Sequence, residues 1–139
     1  MSGGPGLTPA LAVDYVRELS ADVRAVIVLD ARGAPLAGPP GVADAARALL
    51  DAGEDAAELD VATDAGVVCA VRSAAHAAVA VCGRFAIGGV VREDLRAALA
   101  ALEGRALAAP AGGADAATDP GLLAAAEALI SALQRASAA

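Results

Sequence analysis

The stretch Arg24–Gly38, RAVIVLDARGAPLAG, constrains this chain more than any other. Val26, Ile27, Val28 and Leu29 form an unbroken apolar run. Such a run suits a strand covered on both faces rather than one with a wet side. Asp30-Ala31-Arg32-Gly33 follows with turn chemistry: Asp suits the first turn position, and Gly the position where φ is positive. The stretch therefore reads as a hairpin. Its second strand, Ala34–Gly38, holds Pro35, which has no ladder N–H and so predicts an edge position.

Periodicity assigns the rest. Thr8-Pro9 opens a helix that runs to about Ala21, with Ala12, Tyr15, Val16 and Leu19 on one stripe. Val42–Ala52 is a short amphipathic helix. Val42, Ala45, Ala46, Leu49 and Leu50 lie on one face, Asp44, Arg47 and Asp51 lie on the other, and Gly53 stops it. Ala57–Ala62 alternates, as a half-wet edge strand does, with Leu59 and Val61 inward and Glu58 and Asp60 outward. Gly66–Arg72 and Ala77–Arg84 are apolar on both faces and belong in the middle of a sheet, joined through Ser73–His76. After Gly88-Gly89 comes a helix carrying Val91, Leu95, Ala98, Leu99 and Leu102. A last amphipathic helix carries Leu123, Ala126, Leu129, Ile130 and Leu133. This pattern predicts a disordered N-terminus over 1–7, one domain over 8–107, an Ala/Gly/Pro linker over 108–118 and a C-terminal amphipathic helix over 119–136 that either caps the domain or docks elsewhere.

Charge and composition narrow the function. The net charge is −7, and all ten cations are Arg. That balance argues against a nucleic-acid footprint and against an anionic membrane surface. Asp51, Glu54, Asp55, Glu58, Asp60 and Asp64 share one stretch without Arg, which reads as a solvated face or as a docking surface for a basic partner. No run approaches the roughly 20 apolar residues that span a bilayer. The first residues lack a basic start and apolar core, so a cytoplasmic location is expected. Cys69 and Cys82 are then expected as reduced core thiols, directly opposite each other if the Ser73–His76 connection counts four residues.

Catalytic chemistry is missing. His76, the single histidine, cannot complete a metal site and reads as a solvated turn residue. Ser73 and His76 share one turn, with no oxyanion hole suggested nearby. Gly38–Gly41 and Gly83–Gly89 lack the Lys-Ser/Thr of a phosphate loop. No catalytic residue, cofactor or metal is assigned.

The assembled order of elements resembles the Roadblock family, named after dynein light chains. RAVIVLDARGAPLAG (Arg24–Gly38) looks like its first hairpin, and ELDVATDAGVVCAVRS (Glu58–Ser73) like its third and fourth strands. GGVVREDLRAALAALEG (Gly88–Gly104) looks like its last helix. The resemblance covers about Thr8–Gly104. It implies an α+β, profilin-like fold: a five-stranded antiparallel sheet, the middle helix on one face and the two terminal helices on the other. It implies no enzyme activity. It implies a homodimer through the middle helix and third strand, which places Val42, Ala46, Leu49, Leu50, Leu59 and Val61 at the interface. It further implies a small Ras-like GTPase or signalling scaffold as partner, met by Asp44, Arg47, Asp51, Glu54 and Asp55. In such a dimer Glu58 and Asp60 would face their own copies, and like charges placed opposite are unfavourable. The alternative is a small-ligand sensor of the PAS or GAF type. That reading needs a lined cavity, and an Ala-rich core nearly free of aromatics favours the adaptor.

Overall fold

The computed structural model describes residues 7–54, 56–105 and 119–138. They form α1 (Pro9–Leu19), β1 (Val23–Asp30), β2 (Pro35–Ala37), α2 (Ala43–Ala52), β3 (Glu58–Ala62), β4 (Val67–Arg72), β5 (His76–Cys82), α3 (Gly88–Glu103) and α4 (Pro120–Ala138). The predicted N-terminal segment over 1–7, apart from Leu7, and the linker over 108–118 lie outside the described residues, as does Asp55.

The first hairpin forms as its residues dictate. Asp30 Oδ1 accepts the backbone N–H groups of Arg32 (2.8 Å) and Ala34 (2.9 Å). These bonds hold the Asp30 carboxyl below its usual range. Gly33 takes φ +85° and lies against the Arg47 side chain, which a Cβ would overlap. Pro35 places β2 at the sheet edge, as expected.

The sheet is antiparallel with the order β2-β1-β5-β4-β3. The apolar runs take its middle: Val26–Leu29, Val67–Val71 and Val79–Cys82 are all buried. Alternate side chains feed two cores. On one face Val26, Val28, Cys69, Val71, Ala80 and Cys82 pack against α1 and α3. On the other, Ile27, Leu29, Leu59, Val61, Val68 and Val79 pack against α2 and α4. The terminal pair α1 and α3 thus share a face, as the resemblance implied.

Four sequence expectations need correction. The first concerns the stripe of the final helix, which caps the domain. Leu122, Ala126, Leu129 and Ile130 are 0–3% exposed in the α2 core. Its buried stripe uses Leu122, while Leu123 is 38% exposed. In α1 the buried residues are Ala12, Val13 and Val16, and Tyr15 and Leu19 face outward. β3 is not half-wet at Glu58, which is 3% exposed beneath α3. The thiols are not directly opposed. Cys69 pairs with Ala80, and Val67 pairs with Cys82. The two cysteines are therefore diagonal neighbours on one face, because Arg72 pairs with Ala77 and fixes the register. Both are free and buried. The hydrogen bond with Cys82, together with burial, pushes the Cys69 thiol up, so it stays protonated at neutral pH.

Candidate interface on the middle helix

The structure divides the residues expected at α2 into two sets. Val42, Ala46, Leu49, Leu50, Leu59 and Val61, expected at a dimer interface, are 0–7% exposed within the single chain. α4 packs directly against α2, β3 and β4, and supplies their cover. Asp44, Asp51 and Glu54, expected on the partner face, are exposed. Arg47 behaves differently from its neighbours. It pairs with Asp44, and its Nη1 donates to the Gly33 carbonyl (2.8 Å), tying α2 to the β1–β2 turn.

A second arginine holds the other end of α2. Arg72, the last residue of β4, donates from Nη2 to the carbonyls of Leu50 and Glu54. A cation suits the carbonyl-rich end of a helix, and it satisfies acceptors the helix leaves orphaned. Sequence reading missed this role. The one available signal was an arginine ending an otherwise apolar strand. Between the β1–β2 turn, the β4–β5 turn and α2 lies a groove of about 300 Å³, with Asp30, Arg32, Asp51 and His76 among its lining residues. The result is a rigidly held polar platform: acidic along α2, with two turns beside it.

On the other side of the β4–β5 turn sits a polar cluster. Glu103 ends α3 and receives Ser73 Oγ, His76 Nδ1 (2.7 Å) and Arg105 Nε (2.6 Å). Burial pushes its carboxyl up, but these donors outweigh burial and hold it below the ordinary range. His76 is therefore not a solvated turn residue. Its side chain is 21% exposed and locked to α3. The wiring also rules out a triad in this geometry. The carboxylate stands between serine and histidine, whereas nucleophilic catalysis needs the imidazole in that place. Ser73 Oγ instead meets the backbone N–H of His76 (3.1 Å).

A third polar group neutralises β3. Arg96 Nε donates to Glu58 Oε2 (2.7 Å), and Arg92 lies 3.6 Å from Glu58 and 3.9 Å from Asp60. Close approach of α3 permits this: a Cβ on Gly88 would overlap the Asp60 carboxylate. The expected like-charge repulsion across β3 is thus answered within the chain. Among the described residues no group of His, Cys, Asp and Glu is arranged to hold a metal ion. None of the described helices is long and apolar enough to cross a membrane.

No family model and no curated protein matches the chain. Solved structures do. A Roadblock/LC7 domain from Streptomyces avermitilis superposes with a TM-score of 0.53 at 15% identity, covering 63% of this chain and 91% of that one. A second structure of a Roadblock/LC7 domain from Streptomyces avermitilis gives 0.56 at 14%, covering 67% and 92%. Nearly all of each neighbour is matched while about a third of this chain is not. With the sheet order and helix placement above, the chain is built on the Roadblock/LC7 fold and carries sequence beyond it.

Proposed function

We propose that this protein is a non-enzymatic adaptor or regulator that docks a small Ras-like GTPase on the outer face of α2 and works in the cytoplasm. One observation carries the reading. The acidic side chains of Asp44, Asp51 and Glu54 are exposed on a helix whose opposite face is buried. The helix itself is pinned at both turns by Arg47 and Arg72. Carboxylates exposed on a helix that is held at both ends suit recognition of a basic partner. Asp55, named beside them, lies outside the described residues.

Self-association belongs to the same reading, through a modified contact. The apolar stripe of α2 is covered by α4, so pairing would use the outer edge of β3. That edge is free among the described residues. The N–H of Arg72 donates to Ala57 and that of Thr63 to Gly66. By antiparallel alternation, the N–H groups of Glu58, Asp60 and Ala62 point away from β4. The Arg92 and Arg96 partners of Glu58 and Asp60 lower the electrostatic cost of setting two such strands side by side.

Biolayer interferometry against purified small Ras-like GTPases from the same organism tests the docking. The variant Asp51→Arg/Glu54→Arg should keep its melting temperature, since surface changes stay within about 0.5 kcal/mol. Its association rate should fall by about tenfold at low salt. An unchanged rate removes this face from the interface.

A further inference from the structure

The opposite end of the sheet, where β1 begins and β5 finishes, carries a feature that the α2 face does not use. Phe85, the only phenylalanine in the chain, is 83% exposed in the β5–α3 loop. Ile87 and Val90 beside it are 69% and 51% exposed. Leu19, at the end of α1, is half exposed, and α1 and α3 are packed neighbours. The Gly83 N–H donates to the Asp22 carbonyl (2.8 Å), which brings the end of α1 and the start of β1 against this loop. Between them lies a groove of about 430 Å³ lined by Ala21, Asp22, Arg24, Gly83, Arg84 and Phe85. Both cores of this chain are built largely from Ala, Val and Leu. Its single phenylalanine nevertheless stands in water. Clustered exposed apolar side chains of this kind mark binding surfaces.

The charges choose the occupant. Arg47, Arg92, Arg96 and Arg105 have carboxylate partners within the chain, and Arg72 is engaged with the α2 carbonyls. Arg24 and Arg84, like Arg17, Arg32 and Arg135, form no ion pair among the described residues, and these two line the groove beside Phe85. Arg84 lies 5.4 Å from the Phe85 ring centre, so a cation and an aromatic face are presented together. Asp22 is the one carboxylate lining the groove, which leaves it net positive. Arginine forks match carboxylates in geometry as well as charge, and Arg and Phe are both enriched in interface cores.

We propose that this groove is a docking site for an acidic, amphipathic peptide segment of a partner protein. Carboxylates of the segment meet Arg24 and Arg84, and an apolar side chain between them covers Phe85 and Ile87. An anionic membrane is the poorer fit. A broad surface would meet the whole chain, whose net charge is −7. A short peptide meets only the local field, since charges beyond a Debye length of about 8–10 Å are screened.

Selection of short random peptides displayed on phage against the full chain tests the site. The enriched sequence is then made with a fluorescein label and titrated by anisotropy. The enriched peptides should carry several Asp or Glu residues interleaved with Leu, Ile or Phe. Binding should weaken by about tenfold or more in Arg24→Glu/Arg84→Glu and several-fold in Phe85→Ser, and should fall with added salt. It should be unchanged in Asp51→Arg/Glu54→Arg, which separates this site from the α2 face. All the substituted side chains are exposed, and matching circular dichroism spectra establish that the variants fold. Enrichment without acidic residues, equal binding by the groove variants, or no enrichment at all would overturn the proposal. Co-sedimentation of the full chain with phosphatidylserine vesicles, lost in the same variants, would overturn it in favour of a membrane.

Discussion

Single residues decide whether the buried charges stabilise this chain or endanger it. The Glu58 side chain is 4% exposed and depends on Arg96 and Arg92. Removing one partner of a buried pair leaves an uncompensated charge, so Arg96→Ala should cost about 3 kcal/mol in urea unfolding. The double change Glu58→Met/Arg96→Met should cost much less than the sum of the single losses, since an apolar pair replaces the ions. Glu103 supplies a pH signature. Its folded carboxyl sits below the ordinary value, so its contribution is present above about pH 4.3 and is lost as pH falls through the folded value. Glu103→Gln should therefore lower stability by roughly 1–2 kcal/mol at neutral pH. Thermal melts of variant and wild type should converge on acidification below about pH 4. The thiols offer a third check. Cys69 and Cys82 are 0% exposed. Ellman's reagent should find neither in the native chain and both in guanidinium. Residue-level partners of this kind were not legible in the sequence. Glu58 and Arg96 meet across a sheet–helix contact, and nothing local to either names the other. The burial of Ile27 and Val81 was legible, because an unbroken apolar run needs no partner to identify it.

At the scale of elements, the order and type of all nine segments followed from period and punctuation. Asp30 and Gly33 make the first turn, Gly53 ends α2, and Gly88 starts α3. What periodicity could not give was the destination of α4. An apolar stripe states that a helix needs cover, not which surface will provide it. The stripe was also misread by one residue, because both Leu122 and Leu123 fit a helical spacing. The same limit applied to α1, where Tyr15 and Leu19 keep the period of the buried residues yet lie outside. The expected interface residues on α2 were likewise legible as apolar but not as already covered. Leu129 is 0% exposed in that cover. Leu129→Ala should cost about 2–5 kcal/mol, measured by chemical unfolding. A chain ending before Pro120 would uncover Leu49 and Leu50. It should bind a hydrophobic dye that the full chain does not, and form larger aggregates than the full chain.

For the molecule as a whole, the two ends of the sheet have different characters. The end bearing Asp30 and His76 presents the acidic α2 face. The end bearing Val23 and Cys82 presents Phe85 with Arg24 and Arg84. Separate surfaces fit the adaptor role proposed above, in which more than one partner is held. If copies pair, they pair along β3. Ala62→Pro removes an outward N–H while leaving the β4 ladder intact, so it should shift sedimentation toward monomer without unfolding the chain. The central claim is that α4 seals the inner side of α2 and leaves the outer side for a partner. Hydrogen–deuterium exchange of the full chain, alone and with the proposed GTPase partner, tests this most directly. Amides of Leu129 and Ile130 should exchange as slowly as those of β4 and β5 in both states. New protection on binding should fall on α2 from Asp44 to Asp51 and on the turn at Arg32. An α4 that exchanges within seconds, or protection that appears on α4 and leaves the outer face of α2 unchanged, would contradict the account.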